Sequence, residues 1–384
     1  MVVSQMASIA ALAALASFLV CMLIVYSQHW HGAHSLDHDL DGIQKYHAKP
    51  VPRVGGIAVL GGIVLTVCAL LYANPGYIGG DHIDNVIKLL LASLPAFVAG
   101  IAEDMTKRVS VKTRLSATVF SALIASALLG ATIDQIDIWG VDSILVFLPV
   151  GLVVTSVVVA GGANAINIID GFNGLSGSVI AIMSAALGAL AWQAGDTLVI
   201  ILSILSFGAA IGFLLLNYPT GKLFLGDGGA YFLGFWVSEI AVLLLVRNAS
   251  INAWQVLSIC AYPVIEVLYS IYRRKFIQKA SPGAPDDLHL HTLVYRRIAT
   301  RLIAASSAHY WMRNASVACI IVPWIGLMAI VSVNTGGTII RGVAVVSAQV
   351  ILYILFYNLL ARPYRDLAQV VTGTPDADKT TGTS

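Results

Sequence analysis

Residues 164–175, Asn164-Ala-Ile-Asn167-Ile-Ile-Asp170-Gly-Phe-Asn173-Gly-Leu175, set three amides and one carboxylate among apolar runs, with no lysine or arginine. In a helix, Asn164, Asn167 and Asp170 recur at i, i+3 and i+6 and share one face. Asn173 extends the row where Gly171 and Gly174 can loosen the turn. Such a stripe can do one of two things. Its amides can join neighbouring helices through hydrogen bonds, or the whole set can line a polar site at a depth where lipid penalises polar groups. Spacing alone does not choose.

Four further stretches carry chemistry. Glu103 and Asp104 are adjacent carboxylates followed within ten residues by Lys107, Arg108, Lys112 and Arg114. Such a pair can keep one member protonated as a base, or share a cation such as Mg²⁺; the plain alternative is a helix end with surface ion pairs. Gly226-Asp227-Gly-Gly229 places a lone carboxylate in a turn with exposed backbone N–H groups where a helix begins. That corner favours phosphate, and magnesium takes one or two carboxylates with phosphate oxygens and water. His289 and His291 flank a leucine beside Arg296 and Arg297, and they suit a diphosphate better than zinc. Lys45 and His47 precede Pro50-Val-Pro52-Arg53-Val-Gly55-Gly56, where the prolines stiffen an extended turn and the glycines allow close packing. These two cations could bind a polyanion or simply meet anionic head groups.

The elements that position these residues are membrane helices. The chain is 58% hydrophobic and 11% charged, with a mean hydropathy of +0.84, which excludes a soluble globule. Spans fall at about 7–27, 54–74, 86–102, 115–131, 143–161, 175–193, 197–216, 228–246, 254–271, 315–333 and 339–360. The expectation is an all-α polytopic membrane protein of about eleven helices, one domain over 1–361, with a disordered tail at 362–384. Alternating the sides of these spans gathers every basic residue but Lys88, Arg247 and Arg341 on one face, together with all five stretches. The positive-inside bias makes that face cytoplasmic, so the N-terminus is outside and the C-terminus inside. Cys21, Cys68, Cys260 and Cys319 show no paired spacing and imply neither a disulfide frame nor zinc.

Taken together, these motifs resemble the polyprenyl-phosphate N-acetylhexosamine-1-phosphate transferase family. Its members share Lys-x-His-x-x-Pro-x-Pro-x-x-Gly-Gly, here Lys45 to Gly56. They share a carboxylate pair, here Glu103-Asp104, then Asn-x-x-Asn-x-x-Asp-Gly-x-x-Gly-Leu, here Asn164 to Leu175. Gly-Asp-x-Gly and a late His-x-His follow, here Gly226 to Gly229 and His289 to His291. The resemblance implies transfer of an N-acetylhexosamine-1-phosphate from a UDP-sugar to undecaprenyl phosphate at the cytoplasmic face of a bacterial inner membrane, releasing UMP. Mg²⁺ is the implied cofactor, with Mn²⁺ as a substitute. The partners are the nucleotide sugar, the lipid acceptor and the bilayer; a homodimer is left open, and no nucleic acid is expected. By the same likeness Asp227 holds the metal, and Asp104 with Glu103 orients or deprotonates the acceptor. Asn167, Asp170, Asn173, Asn217 and Phe224 hold the nucleotide, and Lys45, His47, Lys112, His289 and His291 face phosphate charge.

Three positions depart from the family pattern. Glu103 replaces the first aspartate, Asn173 replaces a frequent aspartate, and Thr292 replaces a third histidine. The last points away from the wall-precursor branch and toward an initiating transferase for a surface glycan. Competing readings are a transporter that uses Glu239 and Glu266 inside helices, and an inactive UDP-sugar-binding relative, which Glu103 suggests.

Overall fold

The computed structural model describes residues 3–37, 50–73, 79–279, 281, 286–303 and 310–372. In chain order its elements are α1 (Val3–Tyr26), α2 (Gln28–Ser35), β1 (Leu36–Asp37), β2 (Val51–Pro52), α3 (Gly55–Ala73), α4 (Gly80–Thr106), α5 (Val111–Leu129) and α6 (Asp142–Leu145). Then come α7 (Leu148–Ile169), α8 (Leu175–Ala194), α9 (Thr197–Asn217), α10 (Gly226–Arg247), α11 (Ala253–Ile259), α12 (Ala261–Tyr272), α13 (Leu290–Val294), α14 (Thr300–Leu302), α15 (Tyr310–Asn334) and α16 (Ile339–Thr372). Lys45 and His47 lie outside the described residues, as does the tail from 373; α16 runs past residue 361 to Thr372.

Ten helices among the described residues are long and apolar enough to cross a membrane, and the bent pair formed by α11 and α12 brings the number to eleven if it counts as one span. The chain is an all-α, multi-pass membrane protein. The span expected at 254–271 is broken: its two limbs meet at 84°. Pro263 explains the break, because it has no N–H to return to Ile259. The pair still runs from one end of the helix bundle to the other. Trp254 Nε1 donates to Asp137 O ahead of α7, whereas Ser270, near the far end of α12, donates to Asp286 beside the histidine segment. The span expected at 143–161 also shifts, starting at Leu148 and running to Ile169, so that Asn164 and Asn167 are helical.

α10 is the central post. Its sequence is apolar around its whole circumference, as a helix enclosed by others must be, and it packs against α4, α7, α3, α8 and α9. Tyr231, Phe232, Phe235 and Trp236 are fully buried. The outer helices leave apolar faces open, Leu15, Leu19 and Leu23 on α1 and Leu352, Leu355 and Leu359 on α16. α9 meets α1 through Gly208 and Gly212, where a Cβ would lie 2.4 and 2.2 Å from the carbonyls of Ala10 and Ala14. This is the small-residue contact by which helices associate without a hydrophobic driving force.

Candidate active site

The site is built at the N-terminus of α10. A Cβ on Gly56 would lie 2.3 Å from Gly229 N, and one on Gly100 would lie 2.6 Å from Asp227 O. Backbones of α3 and α4 therefore touch the first turn of α10. That closeness lets Asp104, one turn beyond Gly100, reach the helix end. Its Oδ1 accepts from Asp227 N at 2.9 Å and its Oδ2 from Gly228 N at 2.8 Å. Gly226, at φ 72°, carries the entering turn, and a Cβ there would collide with Arg53 O and with the Asp104 carboxylate. Asp104 thus satisfies the open N–H groups of α10 and opposes its dipole. Its side chain is wholly buried and does not line the cavity.

Glu103 points elsewhere. Its Oε2 accepts from Val109 N at 2.6 Å and closes the turn after α4. The two adjacent carboxylates therefore do not share a proton or a cation with each other, and the departure at 103 falls outside the cavity wall. Lys112 is exposed on the first turn of α5 and is likewise off the wall.

A cavity of about 340 Å³ opens at this end of the helices. On its wall, Asp227 accepts from Asn167 Nδ2 at 2.8 Å and pairs with Arg114 Nη1, whose guanidinium lies 5.4 Å from the Tyr231 ring centroid. Arg53 completes the charge balance: Nη2 is 3.6 Å from Asp104 and 3.7 Å from Asp227, and Nη1 is 3.8 Å from Asp37. The pairing of β1 with β2 places Asp37 there. Arg53 and Arg114 are site residues that sequence reasoning counted only among basic runs. A signal existed for Arg114, because it heads the buried row Arg114, Thr118, Ser121, Ala122 and Ala125 on α5.

The stripe at 164–175 divides. Asn164 Oδ1 accepts from Tyr231 OH at 3.1 Å, which is an interhelical seam. Asn167 serves the site through Asp227. Asp170 follows the last residue of α7, lines the cavity, and accepts from Ser176 Oγ at 2.5 Å. Burial pushes its carboxyl up to about 6, against the opposing effects of Ser176 and Arg53. Asn173 does not extend the helical row: its N–H donates to Asn314 Oδ1 at 2.6 Å and its Nδ2 to Pro219 O at 2.9 Å. Asn217 accepts from Gly174 N at 2.6 Å and donates to Leu223 O at 2.8 Å. These two amides fasten the 170–174 turn to the 217–223 loop, and both residues line the cavity with Phe224. Phe224 is held by its backbone, which donates to Pro52 O and accepts from Gly55 N, each at 2.9 Å.

His289 and His291 complete the wall. Their rings stack at 5.2 Å and 9°. Burial lowers His291 to about 4, so its ring is neutral at pH 7, and it meets Phe172 edge-on at 5.7 Å. Burial alone would raise Asp286, but His289, Ser270 and Arg273 outweigh it and hold the carboxyl below its usual range.

The donor set fits a hard cation. Asp227 and Asp170 offer two carboxylates on one cavity, and among the described residues no three His, Cys, Asp or Glu side chains gather as a closed cage. Magnesium is commonly held by one or two carboxylates, with substrate phosphate and water supplying the rest. Asp227 already engages Asn167 and Arg114, so a cation there competes with the Arg114 guanidinium.

Residues 86–245, which include Asp104, Asn167, Asp170 and Asp227, match the model of glycosyl transferase family 4. Over 268 residues the chain is 30% identical to the undecaprenyl-phosphate alpha-N-acetylglucosaminyl 1-phosphate transferase of Salmonella typhi, covering 67% of this chain and 69% of that protein. The chain belongs to glycosyl transferase family 4. It is also 28% identical over 255 residues to a probable undecaprenyl-phosphate N-acetylglucosaminyl 1-phosphate transferase of Bacillus subtilis, covering 65% of this chain and 66% of the relative. A Thermotoga maritima relative, named as the Salmonella protein is, shows 27% over 255 residues, 66% of this chain and 72% of its own. The chain thus spans about two thirds of the length of these relatives. Within this family 4 member the matched segment ends before the histidines, so His289, His291 and Asn314 join the site by folding onto it from outside the matched stretch.

Proposed function

We propose that this family 4 protein transfers an N-acetylhexosamine-1-phosphate from a UDP-sugar to undecaprenyl phosphate, releasing UMP and starting a surface glycan. The reaction would take place on the cytoplasmic face of a bacterial inner membrane, with the N-terminus outside and the C-terminus inside. The observation that carries the reading is the convergence on one cavity of Arg53, Asn167, Asp170, Asp227, His289 and His291, which come from four separate stretches of the chain.

In this reading an oxygen of the acceptor phosphate attacks the sugar-bearing phosphorus of the donor. The bond from that phosphorus to the bridging oxygen breaks, and UMP leaves with that oxygen. Both reactants are anions, so the site needs positive charge and a deprotonated acceptor. Asp170, raised to about 6, matches the second ionisation of a phosphate monoester, also about 6, and takes the acceptor's proton. The role expected of Asp104 passes to Asp170, because Asp104 is committed to α10. Arg53 and Arg114 neutralise the diphosphate, and the histidines line it as hydrogen-bonding groups, His291 through a neutral ring. By the family likeness Phe224 stacks on uracil, in a pocket shaped by Asn173 and Asn217. Asp227 would hold Mg²⁺, which would supply Lewis-acid polarisation of the diphosphate when bound.

The experiment is purified protein with undecaprenyl phosphate, Mg²⁺ and a panel of UDP-N-acetylhexosamines, reading UMP and lipid product. Turnover of at least one donor is expected; no turnover of any would overturn the reading. Counterflow of a nucleotide sugar in liposomes without UMP release would favour transport. Against that alternative, Glu266 is tied to the histidine segment and does not stand as a separate intramembrane carboxylate.

A further inference from the structure

Glu266 lies in α12, is 1% exposed, and has no part in the transfer as described. A single oxygen, Oε1, accepts from His289 Nδ1 at 3.0 Å and from Leu290 N at 3.0 Å. Leu290 opens α13, and His289 before it provides no side-chain cap. A carboxylate rooted in a membrane-spanning helix therefore closes the first turn of the segment that carries His291. Because a carboxylate only accepts, Nδ1 of His289 bears a proton.

The second nitrogen of the same ring also faces an acid. His289 Nε2 is 3.5 Å from Asp286 Oδ2, and Asp286 is fixed by Ser270 Oγ at 2.7 Å and by Arg273. Carboxylate oxygens thus face both nitrogens and fix the plane of the ring. His291 is stacked on that ring in near-parallel planes, so its orientation over the cavity follows from the orientation of His289.

We propose that Glu266 is a positioning residue that acts through His289, holding that ring in plane so that the His289–His291 stack faces the diphosphate of the nucleotide sugar. The substrate named here rests on the transferase reading above; the Glu266–His289 link does not. Outer partners that orient metal-binding histidines are worth about 10–100-fold, and the same kind of contact sets the scale expected here.

Two measurements on the full-length protein test it. In protein labelled with ¹⁵N-histidine, with the signals assigned through His289→Asn, the Nδ1 proton of His289 that Glu266 accepts should exchange with water at least about tenfold faster in Glu266→Gln. In UMP release, Glu266→Gln and His289→Asn should each lower kcat by about tenfold or more, and the double variant should be no slower than His289→Asn alone. Glu266→Asp, which keeps the charge, should recover part of the loss and serves in the cycle if the glutamine variant fails to fold. An unchanged exchange rate of the His289 Nδ1 proton, or losses that multiply in the double variant, would overturn the proposal. If the wild-type protein turns over no donor, the transferase reading fails, and the labelled-histidine exchange still decides the Glu266–His289 link.

Discussion

Asp104 and Asp227 belong to different helices, yet Asp104 receives the backbone N–H of Asp227 at 2.9 Å as well as that of Gly228. The acid in α4 therefore holds the backbone that presents the acid in α10. Hydrogen bonds to a charged group contribute roughly 1.5–3 kcal/mol each, and the N–H groups of this buried helix end would otherwise stay open. Asp104→Ala should lower both the melting temperature in detergent and the activity. Were Asp104 a general base with no structural role, activity would fall while the melting temperature stayed near wild type.

Asp227→Asn tests the other half of the pair. The asparagine can still meet Asn167 and occupies the same space, so folding should persist. UMP release should drop about a hundredfold or more, the scale of removing a main electrostatic group from a site. Binding of Mn²⁺ without donor, followed by electron paramagnetic resonance, should weaken as well. Arg114→Gln should act in the opposite sense on the metal, because the guanidinium that competes for Asp227 is gone. Mn²⁺ should then bind more tightly while the donor KM rises. If both constants moved in the same direction, the competition between Arg114 and the cation would be disproved.

Asp170 sets a pH dependence. Below about pH 6 its carboxyl is protonated and takes no proton from the acceptor, so kcat/KM should fall about tenfold per pH unit on the acid side. Asp170→Asn should remove most activity and with it that limb of the profile. For stability the sign is reversed from the common carboxylate case. The folded value is raised above the ordinary 3.8, so the contribution of this group is fully present below about pH 4 and is lost as pH rises through about 6. Asp170→Asn should therefore melt slightly higher than wild type at pH 8 and no higher at pH 4. A lower melting point at pH 8 would show that the ionised group stabilises the fold.

Much of this organisation is local and so can be read along the chain. Apolar length marks each span, and Gly55-Gly56 and Gly226 to Gly229 mark where backbones must approach. What is not local is the partner. Arg53 and Arg114 look like ordinary loop cations until Gly56 and Gly100 bring α3 and α4 against α10, and α5, packed on α4 and α10, brings Arg114 to Asp227 beside Arg53. The adjacent acids Glu103 and Asp104 look like a pair, but successive helical side chains differ by about 100° in direction, and one closes a turn while the other caps a neighbour. The break near Cys260 is masked because both limbs read as one apolar run, with Pro263 as its only mark.

The stripe that spacing left undecided between seam and site gives the last expectation. Asn164→Ala removes the hydrogen bond from Tyr231 while leaving that tyrosine beside Arg114. Interhelical hydrogen bonds of this kind average about 0.6 kcal/mol, so the melting temperature should drop by a small amount, with donor KM and kcat unchanged. Asn167→Leu, one turn nearer the cavity, removes a donor to Asp227 and should cost activity, because the acid loses the contact that fixes its position. If Asn164→Ala altered KM as much as Asn167→Leu did, Asn164 would belong to the site. The division of the row, Asn164 to the neighbouring helix and Asn167 to the acid, would then be refuted.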